Sequence, residues 1–128
     1  MTEDYLHYIW KHRLFEKNEL KSTTGERITI VHSGNHNKNA GPDFLEGKIK
    51  IGEQLWAGHI ELHVQSSDWQ KHNHQSNKAY NNVVLHVVYA DDGLALREDG
   101  TEIPTLELKG LFDEMGYWRY EQFVSAKR

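Results

Sequence analysis

The chain has 128 residues, a length that one hydrophobic core can organise, and its 11% aromatic and 27% charged residues are the proportions of a folded globular protein. The sequence contains no cysteine, which excludes disulfides, thiolate metal centres and a cysteine nucleophile. A formal net charge of −4 gives no global basic field to draw in nucleic acid, although a local basic groove remains open.

The opening MTEDYLHYIW puts acids first and carries a helical pattern, so no signal peptide is expected. No apolar run approaches the ~20 residues that span a bilayer, and the reading is a cytoplasmic protein without a membrane role. Residues 3 to 15 bring Tyr5, Tyr8, Ile9 and Trp10 towards Leu14 and Phe15 at close to helical spacing, with Thr2 as the cap. STTGE at 22 to 26 is turn chemistry, and RITIV at 27 to 31 alternates as a strand. The polar stretch from His32 to Pro42 predicts a loop, and FLEGKIKI from Phe44 to Ile51 a second strand that alternates imperfectly. Gly52-Glu53 is a tight hairpin turn into a third strand, from about Leu55 to Gln65. There Ile60, Leu62 and Val64 share one face, while His59, Glu61, His63 and Gln65 share the other.

Ser66-Ser67-Asp68 signals a helix start, with a short helix from Asp68 or Trp69. Residues 70 to 82 are polar and weakly patterned. The run Val83 to Tyr89 is apolar and β-branched, as in a central strand buried on both faces. Turns at Asp91-Asp92-Gly93 and Asp99-Gly100 flank a short strand LALRE, PTLEL follows at 104 to 108, and a last helix covers Leu111 to Val124. The fold class is α/β (α+β): a mixed central sheet flanked by helices, read as one domain over residues 1–128.

Asp43 follows a Gly-Pro turn at the head of the second strand, and Glu61 lies midway along the third, its hairpin partner. Two carboxylates on neighbouring strands can meet if register and facing agree. Such a pair suits a hard divalent cation, Mg²⁺ or Mn²⁺, which lowers the pKa of a coordinated water and neutralises charge on a phosphoryl oxygen.

These residues, in the order helix, three strands, helix, strand, resemble the PD-(D/E)XK phosphodiesterase superfamily, which includes many nucleases. The resemblance implies a restriction-endonuclease-like α-β-β-β-α-β core acting on nucleic acid, with Asp43 and Glu61 as metal ligands, the Leu62 carbonyl completing the shell, and His63 in the position of that superfamily's lysine. An imidazole there is a weaker electrostatic partner than an ammonium, but a better base or ligand near neutral pH. The longer strings GNHNKNAGPDF, WAGHIELHVQSSDW, AYNNVVLHVVY and IPTLELKG are similar to a bacterial family of domains of unknown function. Its members are usually longer, which leaves room for this chain to be the N-terminal part of a larger protein.

His36, Lys48 and His59 are the candidate substrate contacts: His36 from the loop before Asp43, Lys48 with Lys50 on one strand face, and His59 beside Glu61. A strand rises ~3.3 Å per residue, so His59 and His63 stand ~13 Å apart and do not reach one ion together with Glu61. His72-Asn73-His74 reads as a solvated helix end, and His86 as a hydrogen-bonded core histidine. Two other functions remain open: a non-catalytic scaffold or interaction module that keeps a degenerate nuclease-like core, and a zinc hydrolase using His59, His63 and a remote histidine. Nine histidines matter only if some gather in space.

Overall fold

The computed structural model describes residues 1–126. Helix α1 spans Glu3–Lys11, and the Thr2 side chain caps it by accepting from the Tyr5 N–H at 3.2 Å. It stops short of the expected Phe15 because Arg13 takes a left-handed φ of 52°. The Arg13 N–H then donates to Trp10 O and the Leu14 N–H to Ile9 O, which is the Schellman closure of a helix. Tyr5, Leu6, Ile9 and Trp10 form its buried side.

The strands are β1 (Ile28–His32), β2 (Asn35–His36), β3 (Phe44–Ile51), β4 (Gln54–Gln65), β5 (Val83–Ala90) and β6 (Thr105–Glu107). They form one sheet in the order β1-β3-β4-β5-β6, with β2 also on β3. The pairs β1·β3, β2·β3 and β3·β4 are antiparallel, whereas β4·β5 and β5·β6 are parallel. The two-residue β2 lies within the expected loop. Gly34, with φ 90°, allows the chain to press against β3 there: a Cβ on it would lie 2.9 Å from Phe44 Cβ. The imperfect alternation of the second strand is a bulge, since Glu46 sits at φ 59° and the β3·β4 register slips between Phe44 and Gly47.

The parallel step from β4 to β5 crosses through α2 (Asp68–Lys71) and 3₁₀ turns at His74–Ser76 and Lys78–Tyr80. Ser67 makes no side-chain cap bond to α2. The turn is instead held from the segment just past the C-terminal end of β5, where Asp92 accepts from the Ser67 N–H at 2.7 Å and from the Ser67 hydroxyl at 2.8 Å. LALRE is not a strand; only Leu96 and Glu102 form a bridge. Helix α3 begins later than expected, at Met115, and runs to Ala126, leaning on Tyr5 through Tyr117 and Tyr120.

Alternation in β4 divides the interior into two clusters. Ile60 and Leu62 join α1, β3 and β5 in the larger one. The smaller, on the crossover side, holds Trp69, Tyr80, Val83, Ala95 and Ile103. Glu61 and His63 point into that second side, where both are buried despite their polarity. Among the described residues no helix is long and apolar enough to cross a membrane.

Candidate metal centre

Three imidazoles converge at the crossover side of β4. One nitrogen each from His63, His72 and His74 lies within 4.8 Å of the others, a spacing at which a metal ion could be held. His63 comes from the strand, where alternation turns it inward. His72 and His74 come from the segment after α2. Asn73 between them takes a left-handed φ of 56°, which Asn tolerates better than most residues. Trp69 anchors this segment: it is fully buried, and its indole N–H donates to Leu96 O at 2.8 Å. Tyr80 stacks on the His74 ring with centroids 3.7 Å apart.

Glu61 stands beside the triad. Its Oε2 is 2.9 Å from His74 Nε2 and 3.5 Å from His63 Nε2. The closer contact lacks the alignment of a hydrogen bond, since His74 Nε2 has no hydrogen-bond partner among the described residues. Donor atoms that approach without bonding each other are what a shared cation position requires. The other carboxylate oxygen, Oε1, accepts from the Asp43 N–H at 3.0 Å, and Asp43 Oδ2 accepts from the Leu62 N–H at 2.9 Å. Asp43 and Glu61 are therefore immediate neighbours across β3 and β4. Leu62 enters through its N–H, and its side chain is buried in the opposite cluster.

The electrostatics follow from this crowding. Burial and the Asp43 charge raise the proton affinity of Glu61 far above the usual carboxylate range. Burial also pushes Asp43 upward, but hydrogen bonds from His7, Glu61 and the Leu62 N–H outweigh it and hold Asp43 below its ordinary value. Burial and the neighbouring histidines lower His63 and His74 to about 4. Both rings are thus neutral near pH 7, the form that ligates a metal.

Behind Asp43 the polar contacts continue to the surface. His7 Nε2 on α1 is 3.5 Å from Asp43 Oδ2, and His7 Nδ1 is 3.4 Å from His36 Nε2. His36 is thus brought towards the acids through His7, its ring stacked on Phe44. His59 is not: its Nδ1 accepts from the Glu46 N–H at the bulge. Lys48 is exposed, in register with His32 and Ala57.

A family model described as "Protein of unknown function (DUF2851)" matches residues 3–128. The chain belongs to this family. No curated protein and no solved structure matches it.

In this DUF2851 member, the expected carboxylate pair adjoins a histidine cluster that the sequence reading did not assemble. His72 and Asn73 are exposed at the end of α2, as expected, but His74 is not solvated: it is 7% exposed and its ring faces His63. Three imidazoles also shift the choice of ion: they suit zinc and other borderline divalent metals better than Mg²⁺ or Mn²⁺, which prefer oxygen. The available signal was a His-x-His one turn beyond a buried tryptophan, in a chain rich in histidine.

Proposed function

We propose that the domain is a metal-dependent hydrolase of the phosphodiesterase class, nuclease-like in chemistry, whose cation sits on His63, His72 and His74. The observation that carries this reading is the convergence of three imidazole nitrogens within 4.8 Å against the buried carboxylate of Glu61. A divalent ion so held would polarise a phosphoryl oxygen and lower the pKa of a water near it. Glu61, 2.9 Å from His74 Nε2, would then be the base, once the cation's charge has displaced the proton that burial and Asp43 hold on it in the metal-free chain. Asp43 keeps its charge and orients Glu61 through the Asp43 N–H to Oε1 bond.

The phosphodiester substrate is supported by the order of elements around the acids. A Pro-Asp opens β3, Glu-x-His follows on the antiparallel β4, and a helical crossover leads to the parallel β5. Lys48, on the same sheet face as Glu61 and in register with Ala57, stands four residues along β4, roughly 13 Å away. It is positioned for a phosphate further along a nucleic-acid strand, and His36 lies at the outer end of the polar chain from Asp43. Zinc is the preferred ion, with Mg²⁺ and Mn²⁺ the weaker alternatives.

A structural centre is the second reading. Glu61 Oε2 lies close enough to His74 and His63 to serve as a fourth donor, and a closed four-donor shell stabilises without catalysing.

Elemental analysis and zinc titration of the whole chain, followed by assays on single-stranded and duplex DNA, RNA and bis(4-nitrophenyl) phosphate, decide between them. One zinc per chain with turnover that Glu61→Gln abolishes supports the hydrolase. Stoichiometric zinc without turnover on any substrate favours the structural centre. A chain that takes up no divalent ion refutes both.

A further inference from the structure

We infer that His86 is the positioning residue of this centre, fixing the ring and the proton of His63 so that His63 Nε2 faces the cation; the inference rests on the cation occupying the His63-His72-His74 cluster. His86 is fully buried in β5, and its immediate neighbours Val84, Leu85, Val87 and Val88 are all apolar. Packing alone would favour another aliphatic residue there. The parallel register pairs His86 with Glu61, which brings its side chain to the same face as the centre.

Its ring nitrogens have unequal surroundings. Nε2 lies 2.7 Å from His63 Nδ1. Nδ1 is buried with no hydrogen-bond partner among the described residues. A buried polar atom left unpaired is costly and calls for a reason. The Trp69 ring, 5.2 Å from the His86 ring, and the His63 ring, 4.9 Å away, both meet it at steep angles and restrict its rotation.

The proton count assigns the role. His63 Nε2 is the nitrogen directed at Glu61 Oε2 and towards the cluster. When Nε2 gives its lone pair to a cation, the neutral His63 ring carries its proton on Nδ1. That proton is donated along the 2.7 Å contact, so His86 Nε2 must be the acceptor. The proton of the neutral His86 ring then falls on the orphaned Nδ1. The unpaired atom is thus the consequence of keeping Nε2 free to accept from a ligand histidine, the outer-shell arrangement that fixes tautomer and raises ligand basicity in metal sites.

The test uses the whole chain with zinc as the probe. In the zinc-loaded, ¹⁵N-labelled protein, long-range imidazole spectra should show His63 and His86 both protonated at Nδ1. His86→Phe keeps a planar ring but removes the acceptor, and should weaken zinc binding about 10- to 100-fold and shift the visible bands of the cobalt-substituted protein. His86→Gln, whose amide oxygen can accept, should recover part of both. A loaded wild type with the His86 proton on Nε2, or a folded His86→Phe variant that binds zinc within twofold of wild type, would overturn the inference while leaving the centre standing. Should His86→Phe fail to fold, His86→Gln and the wild-type tautomer still decide. A wild type that takes up no zinc removes the centre itself, and this inference with it.

Discussion

Each of the buried histidines is held neutral by its surroundings, and Glu61 is held protonated by burial and by Asp43. These tendencies have opposite consequences for the metal-free chain. His63 and His74 titrate at about 4 and His86 well below its ordinary 6.5. The unfolded chain therefore binds more protons than the folded one as pH falls from 6.5 towards 4, and stability falls with it. Glu61 runs the other way: its folded proton affinity is raised, so its contribution is full below the unfolded value of 4.5 and fades as pH rises. Three imidazoles outnumber one carboxyl, so urea midpoints measured with a chelator should drop steadily between pH 6.5 and about 4. Glu61→Gln should leave that acid limb in place and remove the opposing term, giving equal or higher metal-free stability at pH 7 with weaker zinc binding. A variant less stable than wild type at pH 7 without metal would contradict the protonated state assigned to Glu61. His74→Ala deletes a ligand and the ring under Tyr80 together, and zinc titration should show at least a tenfold loss.

At the scale of elements, the β4–α2 turn and the start of β4 carry the geometry. Asp92 accepts three bonds from Ser66 and Ser67 and so fixes the exit from β4 towards His72 and His74. Asp92→Ala should cost about 1–2 kcal/mol in denaturant unfolding and weaken zinc binding as well, although Asp92 touches no ligand. Gly58 is where β4 passes close under the chain entering β5: a Cβ there would lie 2.5 Å from both Asn82 O and Val84 Cγ1. Gly58→Ala should lower stability by roughly 1–3 kcal/mol, read from the same unfolding curves. Much of this level was legible in the sequence. Period-two alternation marked β4 and, imperfectly, β3, an unbroken apolar β-branched run marked β5, and the Gly52-Glu53 turn marked the hairpin that sets Asp43 beside Glu61. The bulge at Glu46 was not legible, because a left-handed Glu leaves no compositional mark. His72 and His74 escaped because residues 70 to 82 follow neither helical nor strand periodicity. Their position is set by Trp69 and Tyr80 packing under distant β-strands, which is tertiary information.

For the whole molecule, the centre gathers groups from separate parts of the chain. His63 lies on β4, His72 and His74 on the crossover, and His86 on β5, with Glu61 and Asp43 joining β4 to β3. Binding a cation only in the folded state stabilises it by about 2.7 kcal/mol at a hundredfold excess over Kd, a Tm rise on the order of 10 °C for a domain of this size. Calorimetric scans with zinc and with a chelator should differ by that order, and identical melting curves would argue against occupancy in the fold. The hairpin pairing of β3 with β4 and the shared facing of Glu61 and His63 followed from local pattern. The size of the histidine cluster did not, since it depends on how a crossover folds over one face of a sheet.

His72 is exposed, whereas His63 and His74 are buried. An ion in this centre would therefore have one doorway, with a single imidazole as its hinge, and its residence time would be governed by how readily that ring swings away. His72→Asn should accelerate zinc transfer to an external chelator, read by stopped flow, far more than it disturbs folding. The same doorway would admit larger, softer ions such as Cd²⁺ from outside, making the centre open to exchange in a way that three buried ligands would forbid.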